Sequence, residues 1–174
     1  MEPLFENKFT WSKKMLREMH YRVFRPWLIW IGVMIALLIL VVVFLSVFTG
    51  TPLREFLSPP FFVLIAFYVI FLLLPLYQAA MTNKRLIQLY GSAPDVVVLF
   101  YDDHFIDQTK QTGAELNLQY SQIKRIMETE SLLLLKLRSA TFILVDKNGF
   151  TRGDAASLKE FLSKRTNAPA DRRK

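Results

Sequence analysis

The side chains best suited to acid–base, nucleophilic or metal chemistry are few in this 174-residue chain and are scattered along it. Cysteine is absent, which removes thiolate metal sites, thiol nucleophiles and any disulfide framework. The two histidines, His20 and His104, lie on either side of a long apolar region, and no H-x-x-x-H or H-E-x-x-H spacing would converge them on a metal. His104 follows Asp102 and Asp103. That grouping suits a His/Asp acid–base pair, but adjacent aspartates before a strand more often make a solvated hairpin turn, which is the reading preferred. Glu128 and Glu130 alternate on one face of a strand end, as the two carboxylates of a glycosidase would, yet nothing around them forms a cleft. The GxxxxGK[ST], GxGxxG and GxSxG patterns are all missing. The chain is therefore expected not to be an enzyme and to hold no catalytic, cofactor-binding or metal-binding residues.

Anion recognition is the chemistry that remains. The net charge of +7 is unevenly spread. Six basic residues (Lys8, Lys13, Lys14, Arg17, Arg22 and Arg25) precede the first apolar run, Arg54 lies between the runs, and fifteen follow the second. From Lys84 onward those fifteen are set against eleven acidic residues, a net of +4 that is less lopsided than phosphate-backbone binding calls for. Nucleic acid is excluded as a partner on that ground. Candidate contacts for anionic lipid or a protein partner are Lys13, Lys14, Arg17 and Arg22 in the N-terminal segment. Lys124, Arg125, Lys136 and Arg138 are the candidates in the C-terminal part. The plainer reading of the same charges is a topology signal together with a solvated sheet face.

The elements that position these residues hang on two uncharged runs. Trp27 to Phe48 is 22 residues long. At about 1.5 Å rise per residue it extends roughly 33 Å, enough for a hydrocarbon core of about 30 Å. Phe61 to Met81 is equally free of charge. The break between them carries Gly50, Pro52, Arg54, Glu55, Pro59 and Pro60, so the pair is predicted to form a transmembrane hairpin. The bias of Lys and Arg away from the break places both termini in the cytoplasm, at the cell membrane. A cleaved signal peptide fits poorly: the basic leader and the run are both too long, and no A-x-A-like site follows. No ionisable group lies within either run, which disfavours a transporter or pore unless many chains assemble. Pro26 is expected to turn a basic helix, capped by Thr10 or Ser12 and lying either on the membrane surface or against the cytoplasmic domain, into the first span. Pro75 is expected to kink the second span near its cytoplasmic end. Gly32, Ala36 and Ser46 are the small residues available for close helix contact.

Residues Met1 to Phe9 read as a polar lead-in. Past Gly91-Ser92-Ala93-Pro94 the apolar period switches from helix to strand. Strands are predicted for Val96–Tyr101, Phe105–Thr109, Leu116–Tyr120, Ile123–Thr129, Leu132–Arg138 and Thr141–Asp146, with Leu116, Leu118 and Tyr120 on the buried face of a half-buried strand. Leu133, Leu135 and Leu137 are expected on one face of their strand, opposite Lys136 and Arg138. A final helix capped by Asp154 presents Leu158, Phe161 and Leu162. The fold class is α+β. A basic amphipathic segment over 1–26 leads into a two-helix transmembrane hairpin over 27–90, with spans near 27–48 and 61–81. A linker at 91–94 then joins a small antiparallel sheet with a C-terminal helix over 95–165, and a basic tail covers 166–174.

Within that last region the run Tyr120-Ser121-Gln122-Ile123-Lys124-Arg125-Ile126-Met127-Glu128-Thr129-Glu130, followed by Leu132 to Leu135, resembles the core of the YcxB-like family. So does Phe142-Ile143-Leu144-Val145-Asp146-Lys147-Asn148-Gly149-Phe150 with the helix around Phe161. The resemblance implies two membrane spans and a cytoplasmic domain similar to a bacterial pleckstrin-homology-like (PH-like) sheet. Asp146 stands where the family often has proline. The resemblance brings no active-site residues. The uncharged spans and the missing catalytic motifs favour a membrane-anchored interaction module for a protein partner or anionic lipid, with a homo-oligomer as a further candidate partner. The alternative is a small membrane enzyme or oligomeric pore subunit whose polar site would draw on Tyr77, Gln78, Lys84 or Asp102.

Overall fold

The computed structural model describes residues 2–52, 55, 59–139 and 141–166. Its elements, in chain order, are β1 (Phe5–Thr10), α1 (Lys13–Thr49), α2 (Pro59–Tyr90), β2 (Asp95–Phe100), β3 (His104–Thr109) and β4 (Ala114–Gln119). A 3-10 turn at Tyr120–Gln122 follows. The chain closes with β5 (Ile123–Glu128), β6 (Leu132–Leu137), β7 (Phe142–Asp146), β8 (Phe150–Arg152) and α3 (Ala155–Arg165). Two compact units result: Met1–Met19 with Ala80–Lys174, and His20–Ala79.

The helical unit is built from two long helices, both long and apolar enough to span a membrane. Its side chains face outward where a soluble core would hide them. Trp27, Trp30, Leu40, Phe44, Val47 and Phe48 are 62–79 % exposed, and Phe62, Phe67, Ile70 and Leu73 are 55–66 % exposed. Apolar surface of this extent is stable only in an apolar surrounding or against other protein. The helices run antiparallel, with Phe24 edge-on to Phe71 (centroids 6.4 Å apart) and Gly32 against the hydroxyl end of Tyr68. A Cβ at Gly32 would sit 2.9 Å from the Tyr68 hydroxyl, so a small residue is what allows this approach. The expected turn at Pro26 does not occur. α1 runs unbroken through it, because proline deletes only one backbone donor and the helix formers on either side carry the helix on. Ser12, not Thr10, is the cap: its carbonyl accepts from Leu16 N–H (3.1 Å) and its hydroxyl from Met15 N–H (3.2 Å). α2 likewise continues through Pro75 and stops at Gly91, whose φ of +75° and N–H to Ile87 carbonyl bond (2.8 Å) make a left-handed cap. Arg54 lies outside the described residues.

The β unit consists of two antiparallel sheets, one ordered β4-β3-β2-β1-β8 and the other β5-β6-β7. The supposed lead-in at Met1–Phe9 holds a strand. β1 pairs along its whole length with β2, from Phe5↔Phe100 to Thr10↔Asp95, and on its other side with β8. Strand alternation turns Phe5, Asn7 and Phe9 to the inner face, where Asn7 is fully buried and Phe9 is 8 % exposed. The Asn7 amide crosses to the second sheet, donating to Asp146 C=O (2.7 Å) and accepting from Asp146 N–H (3.1 Å). A side chain thus closes the corner between the sheets as a strand would.

Among the described residues eight strands stand where six were predicted, the additions being β1 and β8. β4 is an edge with almost no burial, and Leu116 is 53 % exposed, so the expectation of a half-buried strand there is corrected. Tyr120 leaves the strand for the 3-10 turn, where its hydroxyl donates to Tyr101 C=O (2.6 Å) and its ring meets Phe105 and Phe161. Leu133, Leu135 and Leu137 share a buried face, opposite the less buried Lys136 and the exposed Arg138, but Leu132 and Leu134 are fully buried too, so β6 is covered on both faces over Leu132–Leu135. α3 begins where expected. Asp154 accepts from Ala156 N–H and Ser157 N–H, while Leu158 and Leu162 are fully buried. Ala140 and residues 167–174 fall outside the described residues.

Candidate functional site

The basic candidates divide into two groups. Lys13, Lys14 and Arg17 are exposed on the first turns of α1, and Arg22 is half-buried farther along that helix. In the second sheet, Lys124 is the extra residue of a β-bulge, which the register shift between Ile123 and Arg125 marks. Past the bulge Arg125 stands directly opposite Lys136, and Lys136 opposite Phe142, so these three share one face. The Lys136 ammonium sits 5.7 Å from the Phe142 ring centroid, a cation–π contact that holds one cation against its like-charged neighbour. Arg138 turns away and donates from Nε to Ser121 C=O (3.1 Å). The structure therefore brings Arg125 and Lys136 together, sets Lys124 beside them on the bulge, and engages Arg138 locally.

The acid–base candidates are held in ordinary structural contacts. His104 Nδ1 lies 2.6 Å from Asp103 Oδ1, its ring stacks on Tyr101 (4.8 Å), and Asp102 pairs with Arg165. The hydrogen bond from His104 holds the Asp103 carboxyl below its ordinary range. This is an exposed turn. Glu128 is not one of a carboxylate pair: Lys147 (2.7 Å) and Lys159 both reach it and hold it down, while Glu130 is exposed. Lys84 is exposed on α2. Among the described residues no cluster of His, Asp or Glu could hold a metal ion.

Three polar residues that sequence reasoning passed over are more telling. Asn7 is one. Glu18 is the second: its Oε2 accepts from Thr129 hydroxyl (2.9 Å), Ser131 hydroxyl (2.8 Å) and Ser131 N–H (3.2 Å), fastening the first turns of α1 to the β5–β6 turn. Burial pushes this carboxyl up, but the bonds from Ser131 and Thr129 outweigh it and its pKa ends below the ordinary value. The third is Asp107, on the inner face of β3 in the row Asn7–Val98–Asp107–Leu116. Its Oδ1 is buried without a hydrogen-bond partner, and burial raises its pKa to about 6. The strand alternation Phe105, Asp107, Thr109 was the available signal.

A carboxyl whose pKa is higher folded than unfolded binds protons more tightly in the folded state. Folding stability therefore falls as pH rises from about 4 to about 6, and stays lower above that. We expect Asp107 to cost up to roughly 2 kcal/mol at neutral pH relative to pH 4. Denaturant unfolding across that pH range should show Asp107→Asn gaining about this much stability relative to wild type as pH rises, since the opposite trend from Glu18 and Glu128 is common to both proteins. Equal pH slopes in the two proteins would refute it.

Residues 100–162 match the family model described as YcxB-like protein. No curated protein and no solved structure matches the chain. The matched segment runs from the last residue of β2 to Leu162 in α3. It thus leaves out β1 and nearly all of β2, the two strands that complete the larger sheet.

Proposed function

We propose that this chain, YcxB-like over residues 100–162, is a membrane-anchored, non-enzymatic interaction module whose basic residues meet anionic lipid headgroups. The observation that carries this reading is the helical unit: two uncharged helices whose large apolar side chains point outward. A bilayer is the surrounding that makes such a surface stable. Lys and Arg concentrated outside the break between the helices favour a cytoplasmic β unit, on the leaflet where anionic lipids attract basic side chains at about 1 kcal/mol each. Lys13, Lys14 and Arg17 on α1, and Lys124, Arg125 and Lys136 on the second sheet, are the contacts proposed.

The test is hydrogen exchange of the full-length protein in nanodiscs of neutral or anionic lipid across a salt series. Expected is added protection in the first turns of α1 and in β5–β6 with anionic lipid only. It should fade as salt rises and disappear when Lys124, Arg125 and Lys136 are reversed to Glu. Identical exchange in both lipids would reject lipid recognition. In sealed inside-out vesicles, a cysteine placed at Asp103 should react with an impermeant maleimide and one at Thr51 should not; the reverse pattern would reject the orientation.

A further inference from the structure

We propose that β4 is the pairing edge of a homodimer, joined antiparallel to β4 of a second copy of this chain about a twofold axis at Leu116. The inference is independent of lipid recognition and rests on how the sheet edges differ.

Three of the four sheet edges are blunted. β8 has only three residues, Phe150–Arg152, and its register shifts against β1. β5 carries the bulge at Lys124 with Arg125 next to it. On β7 the Asp146 backbone is already bonded by the Asn7 side chain. Short length, bulges, lysines and covering side chains are the usual guards of an edge. β4 carries only one of them, the Gln122 side chain on the N–H of its last residue, Gln119. It is six residues long, pairs in regular register with β3, contains no proline, glycine or lysine, and carries a single charge, Glu115.

The hydrogen bonds select the partner and the register. Lys110 N–H bonds to Asp95 C=O, and Gly113 N–H to Thr109 C=O. Residue 110 thus points to β2 and residue 109 to β4. By the alternation of an antiparallel ladder, Ala114, Leu116 and Leu118 bond to β3, while Glu115, Asn117 and Gln119 turn their backbone groups outward. Gln119 N–H is already taken by the Gln122 side chain (3.2 Å). The open amides are those of Glu115 and Asn117. In a twofold pairing at Leu116 each Glu115 faces the other copy's Asn117, so both open amides of both strands are satisfied and the Gln119–Gln122 bond is kept. The single carboxylate of each strand meets an amide. Leu116 meets Leu116 at a non-hydrogen-bonded position, where side chains approach most closely, and Ala114 meets Leu118. A pairing centred on Glu115 would oppose two carboxylates. One centred on Asn117 would break the Gln119–Gln122 bond. In this register the exposed Leu116 is covered by Leu116 of the second copy.

The chain has no cysteine, so one introduced thiol reports the contact alone. Leu116→Cys, Asn117→Cys and Gln119→Cys are prepared in the full-length protein, purified in detergent and oxidised with copper phenanthroline. Non-reducing gels should show disulfide dimer several-fold higher for Leu116→Cys, since the other positions stand two and six residues out of line with their twins. In the Leu116→Cys background, Asn117→Glu puts like charges opposite Glu115 twice and should lower the dimer about three- to tenfold, whereas Asn117→Lys should restore or raise it. Both substitutions fall on an exposed edge side chain, so loss of folding does not confuse the result. Equal cross-linking at all three positions, a maximum at Asn117, absence of dimer, or indifference to the charge at 117 would each overturn the proposal.

Discussion

A chain lacking residues 2–10 is expected to lose the cooperative unfolding transition of its β unit. β1 sits between β2 and β8, so its removal strips hydrogen-bonded ladders from both neighbours and strands β8 without a sheet. The loss goes beyond backbone pairing. Phe9 is buried, and Phe5 packs on Phe161 of α3 with centroids 5.5 Å apart. Each buried phenylalanine contributes about 1.5–3 kcal/mol, and each lost hydrogen bond with an orphaned partner about 1–3 kcal/mol. Against a typical total of about 5–15 kcal/mol, these losses leave nothing to hold the fold. Calorimetry and near-ultraviolet circular dichroism of the truncated protein in detergent should show no β-unit transition, while far-ultraviolet helix signal from α1 and α2 persists. A transition within a few degrees of wild type would show that β1 is dispensable. A fragment starting near Gly91 should fail likewise, since it too lacks β1.

Asn7→Leu should be the most damaging single substitution in the β unit that keeps the number and branching of side-chain heavy atoms. It removes both bonds to Asp146 and leaves a part-buried N–H and a part-buried C=O unpaired where the sheets meet. The expected destabilisation is about 2–5 kcal/mol by denaturant unfolding with an unchanged m-value. Asn7→Asp sharpens the test. An ionised carboxylate keeps the bond from Asp146 N–H but opposes the Asp146 carbonyl, whereas the protonated acid can donate to it. The Asp variant should therefore recover stability as pH falls, and the Leu variant should not. A loss below about 1 kcal/mol for Asn7→Leu would mean that the corner is held by other contacts.

Gly149 belongs to the same corner: a Cβ there would lie 2.5 Å from the Lys8 carbonyl and 3.3 Å from the Asn7 amide. Neither residue was legible as important in the sequence. An asparagine between Glu6 and Lys8 reads as surface, and its burial depends on a strand about 140 residues away. Asp107 was hidden for a related reason. Strand alternation put it in line with Phe105, but alternation alone does not say which face is covered, or that the neighbouring strand is an edge.

What the sequence determined by itself is what short-range physics decides. The uncharged runs specify two long apolar helices, because an ionisable group every few residues is what a soluble helix would need and these lack it. Gly91 ends α2 and Asp154 starts α3, since a left-handed cap and an N-cap are written in one or two residues. The Asp102–Asp103 turn and the strands from β2 to β7 follow from alternation and turn chemistry within a few positions. The tertiary structure alone decided the rest. It made β1 a central strand, because a six-residue segment with two phenylalanines gains its sheet partners only from residues 85 or more positions away. It let α1 pass through Pro26, because one missing donor costs less than ending an apolar helix. It also left Leu116 on a bare edge while burying Leu132 to Leu135 from both sides, because coverage depends on where the other sheet and helices lie, and no local pattern of residues records that.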